Sequence, residues 1–179
     1  MNQRQLGSAS VFLALIIIFH ADSLTFADSF HAGSDGVNKR FTGTFLVREG
    51  LDQTGILLRL ITVSADGNWS SVDAQQEVFG FSDQQGVWKP SGRREITANV
   101  IDFDISPGGA PAGVARIRFV MTYSQDYQTV AGTFVGESFD LRNYLDVFNP
   151  KAVPQSTFES PFEGRRVTVE VGKEPKHFR

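Results

Sequence analysis

The sequence contains no cysteine, and that absence removes several kinds of chemistry at once. A thiol nucleophile and a thiolate metal site each need a cysteine side chain. Disulfides, which stabilise many small exported domains, are excluded as well. The fold must therefore be stabilised by its core alone.

Histidine is scarce, and its three positions lie near the ends of the chain, at His20, His31 and His177. A Ser-His-Asp triad or a histidine-rich metal centre has no histidine inside the predicted domain. The chain also lacks a GxxxxGK[ST] loop and a strand–GxGxxG–helix unit, the usual phosphate and dinucleotide cradles. We therefore expect a protein with no cofactor and no metal.

Charge is low and evenly spread, with 17 Lys and Arg against 20 Asp and Glu and a net charge of -3. No basic stripe of the kind that neutralises nucleic-acid phosphates is present, so we expect no nucleic-acid partner. Hydrophobic residues make up 41% of the chain, which is enough for a packed core. The oligomeric state is left open by the composition.

Long hydrophobic runs are also missing, and the longest, Val11–Phe19, has nine residues. A membrane-spanning helix needs about 20, whereas the core of a signal peptide needs about 7 to 15. Arg4 precedes the run, and Thr25 and Ala27 supply small residues for cleavage. Residues 1–27 are thus predicted to be a signal peptide, and the mature protein to be secreted or periplasmic without membrane attachment.

Residues 40–171 alternate β-rich runs with turn residues and show no convincing helix. Segments 28–39 and 172–179 are predicted to be a flexible N-terminal segment and a C-terminal tail. The eight predicted strands are Phe41–Arg48, Ile56–Ser64, Trp69–Val72, Gly86–Lys89, Glu95–Ile105, Val114–Tyr123, Thr129–Phe139 and Gly164–Val171. Short polar connections favour sequential antiparallel pairing, and closure hides the edges. The prediction is one all-β, antiparallel up-and-down barrel of about eight strands.

The hairpin between the fifth and sixth of these strands allows a prediction of faces. Apolar residues alternate in both strands, with Ile101, Phe103 and Ile105 on one face of the fifth. That face is expected to point into the core, and Asp102 and Asp104 to point outward. A register centred on Ala110 sets these two aspartates opposite Arg118 and Arg116, as ordinary surface ion pairs.

Three polar residues are candidate catalytic groups. Arg59 lies in a strand that is apolar on both faces, and Glu137 shares a face with Ala131 and Val135. Each either points to solvent or faces a polar spot inside the barrel, because an unpaired buried charge is unfavourable. In an enzyme, Arg59 would stabilise negative charge while Glu137 or Tyr123 handled a proton.

Phenylalanine is abundant, with 16 residues against three Tyr and two Trp. Eight strands enclose room for either a packed core or one small ligand, and both possibilities stay open. The candidate ligand-binding residues are Phe45, Phe103, Phe119, Phe134 and Trp88.

The segment Phe79–Trp88, FGFSDQQGVW, continuing through Arg93 to Glu95–Ala98, resembles exported bacterial barrels of lipocalin-like form. Its Gly86-Val87-Trp88 matches the lipocalin G-x-W tripeptide, here near the predicted fourth strand. In architecture the chain is similar to calycin and to allene-oxide-cyclase or dirigent barrels. The resemblance implies a hydrophobic interior that serves binding in some relatives and cofactor-free isomerisation or cyclisation in others.

Three functions follow as hypotheses. The first is binding of a small apolar or amphipathic molecule in a Phe-lined cavity. The second is a cofactor-free isomerase or cyclase of the same shape. The third is a small outer-membrane barrel, although its aromatic girdles would be rich in Trp and Tyr, in which this chain is poor.

Export gives the first testable prediction. Because small residues at Thr25 and Ala27 suit the signal peptidase, the mature protein should begin at or near Asp28. N-terminal sequencing of the protein from its native source measures this directly. An intact Met1 terminus recovered from the membrane fraction would contradict it.

Overall fold

The computed structural model of the protein describes residues 39–50 and 57–169. The predicted signal peptide, the following segment up to residue 38 and the predicted tail at 172–179 lie outside these described residues. In the described part of the chain, no helix is long and apolar enough to cross a membrane.

Eight strands form a closed barrel in which each pairs antiparallel with its neighbours in sequence and β8 pairs with β1. The strands are β1 Gly43–Glu49, β2 Leu57–Val63, β3 Asn68–Asp73, β4 Gln84–Gly92, β5 Glu95–Ile105, β6 Pro111–Tyr123, β7 Thr129–Asp140 and β8 Ser156–Arg166. This arrangement confirms the predicted all-β up-and-down barrel. Consecutive strands pair through local connections, and the β1–β8 pair closes the barrel so that no edge is left unpaired.

The largest differences from the sequence prediction are the position of β8 and the presence of two short helices. β8 starts at Ser156, well before the predicted Gly164, because its apolar positions Phe158 and Phe162 are too sparse to show a strand pattern. Two short helices also interrupt the connections, α1 at Gln76–Phe79 and a 3₁₀ helix at Leu141–Phe148. The 3₁₀ helix buries Val147 against the outside of the barrel, in a small second core.

The barrel interior divides into two halves along its axis. One end, where β2, β4, β6 and β8 finish, is filled by aromatic rings in mutual contact, and we call it the aromatic end. Its residues include Phe41, Phe45, Trp88, Ile96, Met121 and Tyr123. The other end, where β1, β3, β5 and β7 finish, we call the polar end. Burial of these side chains stabilises the barrel, as part of one core cluster that also includes Trp69, Phe119 and Phe134.

The predicted register of the β5–β6 hairpin is wrong. Asp102 pairs with Ala115 instead of Arg118, and Asp104 pairs with Gly113. The hairpin is centred nearer Gly108 than Ala110 and contains an irregularity after Asp104. The observed partner of Asp102 is three residues from the predicted one. Because three is an odd number, the inner and outer faces of β5 are the reverse of those predicted.

Exchanging the faces turns both aspartates of β5 into the barrel. Asp102 is buried, and Phe103, predicted to point inward, is 51% exposed on the outer face. The expected surface ion pairs are therefore absent from the described hairpin. Arg116 instead pairs with Glu137 on the outer face of β6 and β7, at 2.6 Å.

Two glycines of β7 make room for aromatic rings of β8. A Cβ atom on Gly132 would overlap the ring of Phe162, and one on Gly136 would overlap the ring of Phe158. Both rings therefore lie across the inner face of β7. Phe162 is buried in the core, whereas Phe158, nearer the polar end, is 42% exposed.

Gly86 gives a stability test of the barrel, because β4 passes so close to β5 there that a Cβ atom would overlap the backbone of Asn99 and Val100. Gly86→Ala should lower the free energy of unfolding by about 1 to 3 kcal/mol. Gly92→Ala, at the exposed end of β4, is the control and should change it by less than about 0.5 kcal/mol, because a Cβ atom there would meet no backbone and only the side chain of Glu95. Urea denaturation measures both. Equal stability of the two variants would contradict the close approach.

Candidate functional site

Charged side chains face inward at the polar end. Glu49 ends β1, Arg59 lies early in β2, Asp73 ends β3, and Gln84 begins β4. With Asp102 of β5 they form a buried group that we call the inner cluster. In an antiparallel pair, the end of one strand lies beside the start of the next. The ends of β1, β3 and β5 and the starts of β2 and β4 therefore lie together at this end of the barrel.

Arg59 is the centre of the inner cluster and is only 4% exposed. Its Nε lies 2.7 Å from Glu49 Oε1, and its Nη2 lies 3.4 Å from Asp73 Oδ2. Its Nη1 donates a hydrogen bond of 2.7 Å to Gln84 Oε1. Nη1 and Nη2 thus donate hydrogen bonds, whereas Nε contacts the Glu49 carboxylate as an ion pair without hydrogen-bond geometry.

Gln84 links the guanidinium to the remaining carboxyl group. Its Oε1 accepts from Arg59 and also from Ser71 Oγ at 2.7 Å, while its Nε2 donates to Asp102 Oδ2 at 3.0 Å. The other oxygen of Asp102, Oδ1, is buried without a hydrogen-bond partner in the described structure. The cluster therefore ends on an unsatisfied acceptor.

Aromatic rings form the opposite wall. The Arg59 guanidinium carbon lies 5.1 Å from the centroid of Phe134 and 5.5 Å from that of Phe119, within cation–π range. Phe158 packs on Phe134 with a centroid distance of 6.2 Å. The half-exposed Phe158 thus continues this wall from the buried guanidinium toward solvent.

Burial shifts the titration of two carboxyl groups in the cluster. It raises the pKa of Glu49 to about 7, although the Arg59 guanidinium opposes the shift. It raises the pKa of Asp102 to about 6, opposed by the hydrogen bond from Gln84. Both groups therefore change charge close to neutral pH, which makes them able to exchange protons there.

Asp104 adds a carboxyl group between the inner cluster and solvent. It lies two residues beyond Asp102 on the same face of β5, and its Oδ2 occupies the space that a Cβ atom on Gly113 would need. Partial burial raises its pKa, and a hydrogen bond with Ser138 opposes that shift. Both aspartates of β5 therefore contribute negative charge to the polar end.

The three candidate catalytic residues do not come together. Arg59 lies in the inner cluster, but the Tyr123 hydroxyl donates to the Phe41 carbonyl oxygen at the aromatic end. Burial there raises the pKa of Tyr123 further above its ordinary value. Glu137 lies on the outer face, paired with Arg116. One substrate inside the barrel cannot contact all three.

The candidate ligand-binding residues also separate. Phe45, Phe119, Phe134 and Trp88 are buried inside the barrel. Phe119 contacts Phe134, and the Trp88 indole donates to the Ser64 carbonyl oxygen at the aromatic end. Phe103 lies outside because of the register of β5, so it cannot line the interior.

The candidate site residues from the sequence did not include Glu49, Asp73, Gln84, Asp102 or Phe158, although Asp73 and Asp102 belong to the many carboxylates that could act as acids or bases. Arg59 on a doubly apolar strand did signal that buried partners must exist. It did not identify them, because its partners Glu49, Asp73 and Gln84 come from three other strands whose registers were unknown. Asp102 was assigned to the surface by the wrong hairpin register.

Neither metal binding nor similarity to known proteins identifies this site. Among the described residues, no group of three or more His, Cys, Asp or Glu side chains is arranged to hold a metal ion. Comparison with protein-family models, curated proteins and solved structures finds no match. Function must therefore be inferred from the site itself.

The raised pKa of Glu49 gives a pH-dependent stability test. Between its unfolded pKa near 4.5 and its folded pKa of about 7, the folded state holds a proton that the unfolded state releases. Folding stability from this group is thus present at low pH and lost as pH rises. From pH 5 to 8, wild type should lose about 1 to 3 kcal/mol relative to Glu49→Gln.

Urea denaturation across this pH range measures that difference. Glu163→Gln is the control, because Glu163 is exposed and pairs with Arg48 outside the barrel. The control should keep the pH slope of the wild type. A Glu49→Gln variant that also keeps the slope would show that Glu49 titrates normally.

Proposed function

We propose that the protein binds a small amphipathic molecule at the polar end of its barrel, with the polar part of that molecule against the inner cluster. The observation that carries this proposal is the placement of Arg59 and four carboxyl-bearing side chains inside the described barrel, next to a half-exposed inward phenylalanine. Stability alone does not require such buried charges, because apolar residues of equal volume often stabilise a core as well as a buried ion pair does. The four carboxyl-bearing residues are Glu49, Asp73, Asp102 and Asp104.

Phe158 supports a route into the barrel at this end. Its ring lies on the inner face over Gly136 yet is 42% exposed, so solvent reaches the inner face of β7 and β8. Sites for small molecules combine apolar and aromatic side chains with a few placed polar groups, and both kinds of side chain meet here. The aromatic end, in contrast, is already filled by its own rings, so the ligand is placed at the polar end.

The outer face of the described barrel carries charged side chains among exposed apolar ones such as Leu46, Leu60 and Phe103. Arg48 and Glu163 form an exposed ion pair across β1 and β8, and Arg118 and Lys89 are exposed on β6 and β4. A lipid-facing belt would carry a continuous apolar surface between aromatic girdles. These charges favour the first hypothesis over the outer-membrane barrel.

A cofactor-free isomerase or cyclase is the second candidate, and one observation favours it. Glu49, with a pKa of about 7, is bonded to a guanidinium inside a barrel, an arrangement suited to proton transfer near neutral pH. In that case Glu49 and Asp102 would move the proton, in place of Glu137 and Tyr123. A bound molecule recovered unchanged after incubation favours binding, and recovery of an isomer favours the enzyme.

The fluorophore N-phenyl-1-naphthylamine, which brightens in apolar surroundings, tests the proposed site. Phe158→Ala removes the exposed part of the aromatic wall, and we expect it to weaken binding about threefold to tenfold. The matched control is Phe103→Ala, which removes a somewhat more exposed ring from the outer face. This control should leave the affinity unchanged.

Melting temperatures establish first that both variants are folded. Equal loss of affinity in the two variants would indicate non-specific surface binding and contradict the proposal. An unchanged affinity in Phe158→Ala would do the same.

A further inference from the structure

The charge inside the polar end is unbalanced. Within the described strands, Glu49, Asp73, Asp102 and Asp104 lie inside the barrel there, around the single guanidinium of Arg59. Asp140, at the end of β7, has its own cationic partner in Arg142. The nitrogens of Arg59 are already directed at Glu49, Asp73 and Gln84. An anionic ligand would therefore add negative charge without finding a free donor on this guanidinium.

Asp102 supplies a specific acceptor. Its side chain is 3% exposed, its Oδ2 accepts from Gln84, and its Oδ1 has no partner among the described residues. A buried acceptor without a donor is unfavourable, because it has lost its hydrogen bonds to water. A ligand that donates a hydrogen bond here would restore the missing interaction.

The surroundings of Asp102 suit a donor that is also a cation. Asp104 carries a second carboxyl group two residues nearer the polar end on the same face of β5. Phe158 lies on the inner face of β8, which is separated from β5 by the two strands β6 and β7. Carboxylates and an aromatic face are the two kinds of group that bind an ammonium ion.

We propose that the ligand carries a protonated amine as its head group, which binds to the two aspartates of β5 while its apolar part packs on Phe158. This inference rests on the proposed function and names its ligand class. It also gives Arg59 a different role from the expected one of stabilising negative charge on a substrate, because here Arg59 positions the acidic residues around it. Selectivity for the amine comes from the carboxyl groups, and the aromatic wall accepts a range of apolar bodies.

Three probes with the same phenyl body separate head-group preference from apolar binding. They are 2-phenylethylamine, 2-phenylethanol and phenylacetate, which are cationic, neutral and anionic at pH 8. At this pH the pKa of Glu49, about 7, and that of Asp102, about 6, leave both groups ionised. Isothermal titration calorimetry of the purified protein should give at least tenfold tighter binding of the amine than of the alcohol, with phenylacetate weakest.

Variants then assign the preference to named residues. Asp102→Asn should bring the amine to within about threefold of the alcohol, whereas Glu163→Gln, outside the barrel, should keep the full preference. If Asp102→Asn does not fold, Asp104→Asn is the second variant, because Asp104 is only partly buried. An amine preference that survives in the folded variant overturns the proposed head group.

The remaining outcomes distinguish the two proposals. If the alcohol or phenylacetate binds as tightly as the amine and Phe158→Ala weakens that binding, the ligand class is wrong while the proposed function stands. If none of the three probes binds, both proposals fail. A preference for the amine that is lost in the aspartate variant supports both.

Discussion

A buried guanidinium is the constraint on which the polar end of this barrel depends. Arg59 cannot remain inside without acceptors, because the unpaired charge would cost several kcal/mol. Its acceptors come from β1, β3 and β4, so the strands around it must hold their register for the charge to be satisfied. A slip of one residue in any of these strands would turn the acceptor outward and leave the guanidinium unpaired.

The same arginine connects the two kinds of interior. On one side it bonds the carboxyl groups of the inner cluster, and on the other it lies over Phe119 and Phe134. The planar guanidinium suits this position, since its edge donates hydrogen bonds while its face packs on rings. The barrel thus changes from an apolar core to a polar site within one layer of side chains.

The two ends of the barrel therefore differ in role, since one end contains packed rings and the other contains buried carboxyl groups. Rings in edge and tilted contact fill the aromatic end, where Tyr123 is held by the Phe41 carbonyl oxygen. That end supplies apolar burial in a chain without disulfides. The polar end is less stabilising because it buries carboxyl groups. Their raised pKa values, at Glu49 and Asp102, show that burial disfavours the ionised form of each group. Such local instability is common where a protein binds or transforms a ligand.

Much of the architecture could be read from the chain itself. Alternating apolar residues and Gly- and Pro-rich turns predicted the eight-stranded barrel, and Arg59 stood out because its strand is apolar on both faces. Both features depend on residues that are close in sequence, so they can be predicted from local sequence patterns.

The candidate site, in contrast, was decided by tertiary structure. Asp102 belongs to the inner cluster because the observed register of the β5–β6 hairpin differs from the predicted one by an odd number of residues. Phe158 faces inward on a strand with little apolar alternation. Glu49 and Asp73 became partners of Arg59 through pairing between strands. The sequence thus determined that a buried charge needs partners, and only the register of the closed barrel decided which side chains they are, because register depends on distant pairing and not on local pattern.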